Sequence, residues 1–305
     1  MILPQILVTG AGGFVGAAVL DALAGWHGAS VLATGRTVPA RGWPAGGSAT
    51  LDVTDSDSVE HVFQDFAPSV VLHLAAESRV EACEADRAAA WALNVDAVER
   101  LSSACHRHGA RMVLLSTDMV FSGTAGPYVE TARPEPINAY GRTKLAAENT
   151  LRTSSLRQWT VARTTLVIGQ PRPGQRGNLV SWLVGELTAG RPVRVAADQR
   201  RTPTLDADLA SGLVGLIRFG KTGVYHLAGR EWISPFDVAL RVADVFGLDA
   251  TLISPATTAE LHPGAPRPLL GGLVTLRADT EIGFRATPLD DALVRLRDTW
   301  PDPVG

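Results

Sequence analysis

The chain has 305 residues, 46% hydrophobic and 19% charged, which is enough for one large α/β unit or two modest domains and wrong for disorder. Its 28 basic and 31 acidic side chains leave a net charge of −3, so nothing global draws it to nucleic acid or an anionic membrane. Two cysteines, Cys83 and Cys105, make no disulfide framework and have no metal-type spacing; they read as small buried residues, and no metal site is expected.

The opening "MILPQILVTG" lacks a basic stretch and a long apolar run, which excludes a signal sequence or spanning helix there and leads us to expect a soluble, cytoplasmic protein. Apolar runs of strand length then alternate with segments of helical period. "QILVT" (5–9), "SVLATG" (30–35), "SVVLHLAA" (69–76), "RMVLLST" (111–117) and "WTVARTTLVIG" (159–169) read as strands. Helical segments lie between or beside them at 13–25, 84–109 and 139–154. Strands that are apolar throughout need cover on both faces, so the alternation predicts a doubly wound parallel sheet of the Rossmann type. After the Gly/Pro/Arg loop "GQPRPGQRGN" (169–178) the pattern changes. A helix ending near 219, a strand at 223–229 and the helix "SPFDVALRVADVFG" (234–247), with its Ser N-cap and closing Gly, follow. We expect a dinucleotide-binding domain from 1–168 and 204–229, and a smaller discontinuous α/β substrate lobe from 169–203 and 230–305.

The turn "VTGAGGFVG" (8–16) joins the first strand to the first helix, with Gly10, Gly13 and Gly16 at G-x-x-G-x-x-G spacing. Glycines there permit the sharp turn, the approach of a pyrophosphate and close helix–strand packing. Past the second strand no acid is present to grip a ribose 2′-hydroxyl; Arg36 stands there, and a guanidinium suits a 2′-phosphate. NADPH is therefore the expected cofactor, with NADH as the alternative. Asp52 is placed to reach the adenine amino group.

Tyr140 is one of only 3 tyrosines, and Lys144 follows it four residues later, on the same helix face. Asn138 is a candidate N-cap, so Tyr140 falls in the first turn, and Thr117 ends a strand at the edge where ligands bind in such sheets. A nearby ammonium is expected to lower the phenol pKa from its ordinary value of about 10. Thr117, Tyr140 and Lys144 then make a proton donor suited to reducing a carbonyl beside a nicotinamide.

These marks resemble the extended short-chain dehydrogenase/reductase superfamily. More narrowly, "STDMVF" (116–121), "PYVETARPEPINAYGRTKLAAE" (127–148) and "DQRRTPTLDADLA" (198–210) resemble dTDP-4-dehydrorhamnose reductases, which reduce the 4-keto group of a dTDP-sugar. The resemblance implies Thr117, Tyr140 and Lys144 as the catalytic set. It implies Gly10, Gly13, Phe14, Val15, Gly16, Arg36, Asp52, Val53, Ala75, Ala76 and Asn94, with Tyr140 and Lys144, around the cofactor. Ser116, Asp118, Asn178, Arg201 and Thr202 would lie near substrate. Two departures fall on the substrate side: Leu166 where the family has Trp, and Gln199-Arg200-Arg201 where it has Gln-x-Gly. They leave a 4-ketoreductase for another nucleotide-linked deoxysugar open beside dTDP-rhamnose synthesis.

Arg172, Arg176, Arg191, Arg194, Arg200 and Arg201 against Glu186 and Asp198 form a local excess of cations that suits a diphosphate-bearing substrate. Expected partners are this nucleotide-sugar and, at most, a second copy in a homodimer; no nucleic acid or membrane is expected. Two rival readings stand. An NAD-dependent epimerase or dehydratase prefers an acid where Arg36 sits, and a dehydratase wants an acidic pair where the sequence has Asp118-Met119. A regulatory subunit would bind a dinucleotide without turnover.

Overall fold

The computed structural model describes residues 3–39, 42–43 and 46–300. The outer limits of the expected domains, at residues 1 and 305, lie outside these. Eleven strands are present among them: β1 Gln5–Thr9, β2 Ser30–Gly35, β3 Gly47–Thr50, β4 Val70–His73, β5 Arg111–Thr117, β6 Trp159–Thr164, β7 Val167–Ile168, β8 Val193–Ala196, β9 Thr204–Leu205, β10 Gly223–His226 and β11 Ile253–Ala256. Seven form one sheet in the order β10-β6-β5-β4-β1-β2-β3, every pair parallel. The order reverses between β1 and β4, which opens a crevice at the carboxyl ends of those strands.

The helices that position the site are α1 Phe14–Ala24, α2 Ser56–Phe66, α3 Val80–Ala85, α4 Arg87–Trp91, α5 Ala97–His108, α6 Ala139–Thr153, α7 Leu179–Thr188, α8 Asp206–Arg218 and α9 Pro235–Phe246. One face of the sheet packs Val8, Ala33 and Leu72 against Leu20 of α1 and Leu213 of α8. The other packs Leu7, Val71 and Leu114 against Phe63 of α2, Leu101 of α5 and Leu151 of α6. Burying a side chain such as Leu101 or Phe63 contributes roughly 1.5–3 kcal/mol, so both faces must be covered. A separate core joins α7 and α9 to β8 and β11, which pair with each other.

Two expected elements are broken. The run 84–109 is not one helix: Asp86 leaves helical geometry at φ −133°, ψ 84°, and its carboxylate accepts from Ala89 N to start α4. A π-helical segment, Ala92–Asp96, then precedes α5. The strand expected over 159–169 stops at Thr164; Val167 and Ile168 pair with β9 instead, and Thr204 N donates to Leu166 O at 2.9 Å.

A buried charge network ties α6 to the sheet. Glu148 accepts from Ser116 Oγ at 2.6 Å and from Arg163 Nε and Nη2 at 2.8 and 2.6 Å. Glu148 and Arg163 are 0% and 1% exposed. Removing one partner of such a pair leaves an uncompensated buried charge. Arg163→Met is therefore expected to lower unfolding stability by about 3–5 kcal/mol in urea titrations, and a loss under about 1 kcal/mol contradicts the network's weight.

Candidate active site

The glycine turn closes over the crevice. Gly10 has φ +71°, and a Cβ there would stand 2.7 Å from Ala75 N; a Cβ at Gly16 would stand 2.3 Å from Gly10 O. Only glycine lets β1, α1 and the loop after β4 approach this closely. Gly13 N-caps α1 without a side-chain cap, and the first turn carries no acid. The N–H groups around Phe14, Val15 and Gly16 are thus suited to phosphate. Arg36 is exposed one residue past β2. Asp52 accepts from Thr54 N and Oγ1 at 2.9 and 2.6 Å, and these bonds, with a smaller contribution from the charge of Arg36, hold its carboxyl below the usual range. Val53 points into the core and has only its backbone to offer. Ala75 and Ala76 are half-buried beside the turn.

Asn94, expected around the cofactor, is buried in the π-helical segment. Its Oδ1 accepts from Glu77 N at 2.9 Å, and its Nδ2 donates to Glu77 O and Thr143 Oγ1 at 3.0 and 2.9 Å. It ties the loop after β4 to α6. No motif singled out Trp43 or Gln175. The Trp43 ring lies 3.6 Å from where a Cβ at Gly12 would be. Gln175 donates to Gly12 O and Gly13 O, both at 3.1 Å.

Thr117 ends β5, and its hydroxyl accepts from Met119 N at 3.2 Å. Asn138 caps α6, accepting from Gly141 N at 2.7 Å and donating to Pro266 O at 2.9 Å, while Ala139 N donates to Glu84 at 2.7 Å. These bonds fix Tyr140 in the first turn, where it lines the same cavity as Thr117. Lys144, one turn on, is buried.

The electrostatics reverse one expectation. Burial pushes the Tyr140 phenol pKa up rather than down; the Thr117 hydroxyl opposes this, and Cys83, Asp118 and Glu77 add to it. Burial likewise brings Lys144 down to about 8, with Glu148 and Cys83 pulling it back. For both groups desolvation of the charged form is the largest cause.

Thr117, Asp118, Tyr140, Leu166, Asn178 and Arg201 line a cavity of about 810 Å³. Asn178 caps α7, accepting from Val180 N at 3.0 Å and donating to Gly169 O at 2.8 Å. Two substrate-side expectations fail. Ser116 points to Glu148, because side chains alternate along β5 and Thr117 takes the cavity face. Thr202 is buried and accepts from Leu273 N at 3.1 Å, away from the cavity. Of the six arginines, Arg176, Arg194 and Arg201 line the cavity. Arg172 is paired with Asp21, Arg191 with Glu186 and Arg200 with Asp237. Arg267 and His262 join the lining from a distant segment that carries no motif.

The geometry has close counterparts. Residues 4–300 match the family model described as RmlD substrate binding domain. A dTDP-4-keto-6-deoxy-D-glucose reductase of Streptomyces niveus is 32% identical over 297 residues, covering 94% of this chain and 97% of that one. Methionine adenosyltransferase 2 subunit beta of Rattus norvegicus is 30% identical over 271 residues, covering 87% and 78%. The crystal structure of dTDP-4-dehydrorhamnose reductase from Bacillus anthracis in complex with NADP superposes with a TM-score of 0.84 at 25% identity, covering 96% and 98%. With the sheet order, the glycine turn and the family match all in agreement over nearly its whole length, the chain belongs to the RmlD substrate-binding-domain family.

Proposed function

We propose that this protein is an NADPH-dependent reductase of a nucleotide-linked 4-keto-deoxysugar, with dTDP as the foremost nucleotide. The observation that carries the reading is that Thr117 and Tyr140, with buried Lys144 one turn on, line a cavity together with several arginines. The names of the Streptomyces and Bacillus relatives support the substrate class, and the NADP bound to the latter supports the cofactor, as does Arg36. On this reading the domains divide as the sequence suggests, and the protein works in the cytoplasm, alone or as a homodimer.

NADPH, when bound, supplies hydride to the carbonyl carbon. Thr117 holds the carbonyl oxygen in line with Tyr140. The phenol, its pKa raised by burial, carries its proton at neutral pH, which is the form a donor needs. Lys144 supplies positive charge beside the phenolate left behind. Arg176 offers a cation to the diphosphate, and Arg194 and Arg267 offer theirs beside their partners Glu260 and Glu81. Asp118 is already engaged by Thr165, Arg201 and Gly272, and its neighbour is Met119, so the acidic pair a dehydratase wants is missing. The likeness to the adenosyltransferase subunit favours a second reading, a dinucleotide-binding regulatory subunit.

NADPH oxidation against a panel of nucleotide-linked 4-ketohexoses, with product analysis, decides between them; binding of NADPH without turnover of any sugar sinks the first. Tyr140→Phe is expected to cut turnover by a factor on the order of 10² or more with NADPH affinity nearly unchanged, and near-normal turnover refutes the donor. As pH rises through about 8, Lys144 loses its charge, so kcat is expected to fall on that limb. Lys144→Arg should move the limb to higher pH, and an unmoved limb assigns it to another group. Arg36→Asp should shift preference from NADPH toward NADH in paired kcat/KM measurements; an unchanged ratio removes Arg36 from the 2′-phosphate.

A further inference from the structure

The turn after β8 sets a cation deep in the cavity wall. Arg201 and Asp118 are 4% and 2% exposed, and both line the cavity with Thr117 and Tyr140. Arg201 Nη1 donates to Asp118 Oδ2 at 3.4 Å, and Nη2 donates to Gln199 Oε1 at 3.3 Å and Pro268 O at 2.8 Å. A guanidinium has five N–H donors. One on Nη1 and the one on Nε find no acceptor among the described residues. Asp118 also accepts from Thr165 Oγ1 at 2.9 Å and Gly272 N at 3.2 Å, so the pair is held from several sides. Residue 271 must be glycine for this: a Cβ there would stand 1.8 Å from Arg201 Nη1 and 2.8 Å from Asp118 Oδ2.

Charge and place together define what the two spare donors take. Asp118 already neutralises the guanidinium, and a second anion would face that carboxylate; a neutral oxygen fits. The pair is anchored on the residue next to Thr117, so the oxygen belongs to a carbon neighbouring the reacting carbonyl. In a 4-ketohexopyranose the two neighbours are C3, with its hydroxyl, and C5, with the ring oxygen; the ring oxygen is the weaker acceptor because its lone pairs are drawn toward the anomeric carbon, so the C3 hydroxyl is the partner. We propose that Arg201 is a specificity-determining residue that donates to this C3 hydroxyl, so that sugars retaining it are preferred. The proposal rests on the reductase reading of the same cavity.

The test compares kcat/KM for a dTDP-linked 4-keto-6-deoxyhexose and its 3-deoxy counterpart. The wild-type protein is expected to favour the hydroxylated sugar by a factor on the order of 10² or more, because the 3-deoxy sugar leaves a buried donor unpaired. The double variant Arg201→Met/Asp118→Asn removes both charges and leaves no lone buried carboxylate; its preference is expected to fall within about 10-fold, with NADPH binding by fluorescence as the check of the fold. Gly271→Ala, which displaces the guanidinium without deleting it, should weaken the preference likewise. Equal wild-type kcat/KM for the two sugars overturns the role of Arg201 and leaves the reductase reading standing. A preference that survives in a double variant still binding NADPH overturns it too. Reduction of neither sugar overturns both readings.

Discussion

The position of the helix that carries Tyr140 and Lys144 depends on one buried carboxylate. Glu148 lies one turn beyond Lys144 on α6 and accepts from Ser116 of β5 and Arg163 of β6. Arg163 also sits 5.0 Å from the centroid of the Phe121 ring, in the loop past Thr117. The network therefore spans two central strands, the helix and the loop at once. The other end of α6 is tied by Asn138 and Glu84. Held at its N-terminus and again at Glu148, the helix fixes Tyr140 and Lys144 against the sheet.

The same burial sets the protonation states. Tyr140 is half-buried at the cavity wall and Lys144 is buried, so each neutral form gains relative to its charged form. For the phenol that keeps the proton in place. For the lysine it brings titration close to neutral pH, and Glu148 opposes the shift from the same helix. Structural carboxylate and reactive pair are thus parts of one electrostatic arrangement.

One segment touches both the glycine turn and the cavity. In the 169–178 segment, Arg172 pairs with Asp21 of α1, Gln175 donates to the carbonyls of the glycine turn, and Arg176 lines the cavity. Asn178 closes the segment by capping α7. A few residues therefore run from the glycine turn to the cavity wall.

Strong local signals were legible in the sequence. The strands at 5–9, 30–35 and 111–117 and the helices at 139–153 and 235–246 follow their apolar period and caps closely. The glycine turn and the Tyr140–Lys144 spacing stood out because each needs only neighbours within one turn. β3 did not, because Gly47–Thr50 has no apolar pattern, and α2 was passed over although Asp55 caps it. Facing directions were also hidden: Ser116 and Thr202 looked substrate-facing from their motifs and turn out to serve Glu148 and Leu273.

By itself, then, the sequence determined the sheet class, the glycine turn and the placement of Tyr140 and Lys144 on one helix, since short-range periodicity and spacing encode them. Only the tertiary structure decided which arginines reach the cavity, that Arg267 and His262 join them, and that burial moves the phenol and the lysine in opposite directions. Those outcomes come from desolvation and from contacts between segments far apart in the chain, and no local pattern carries either.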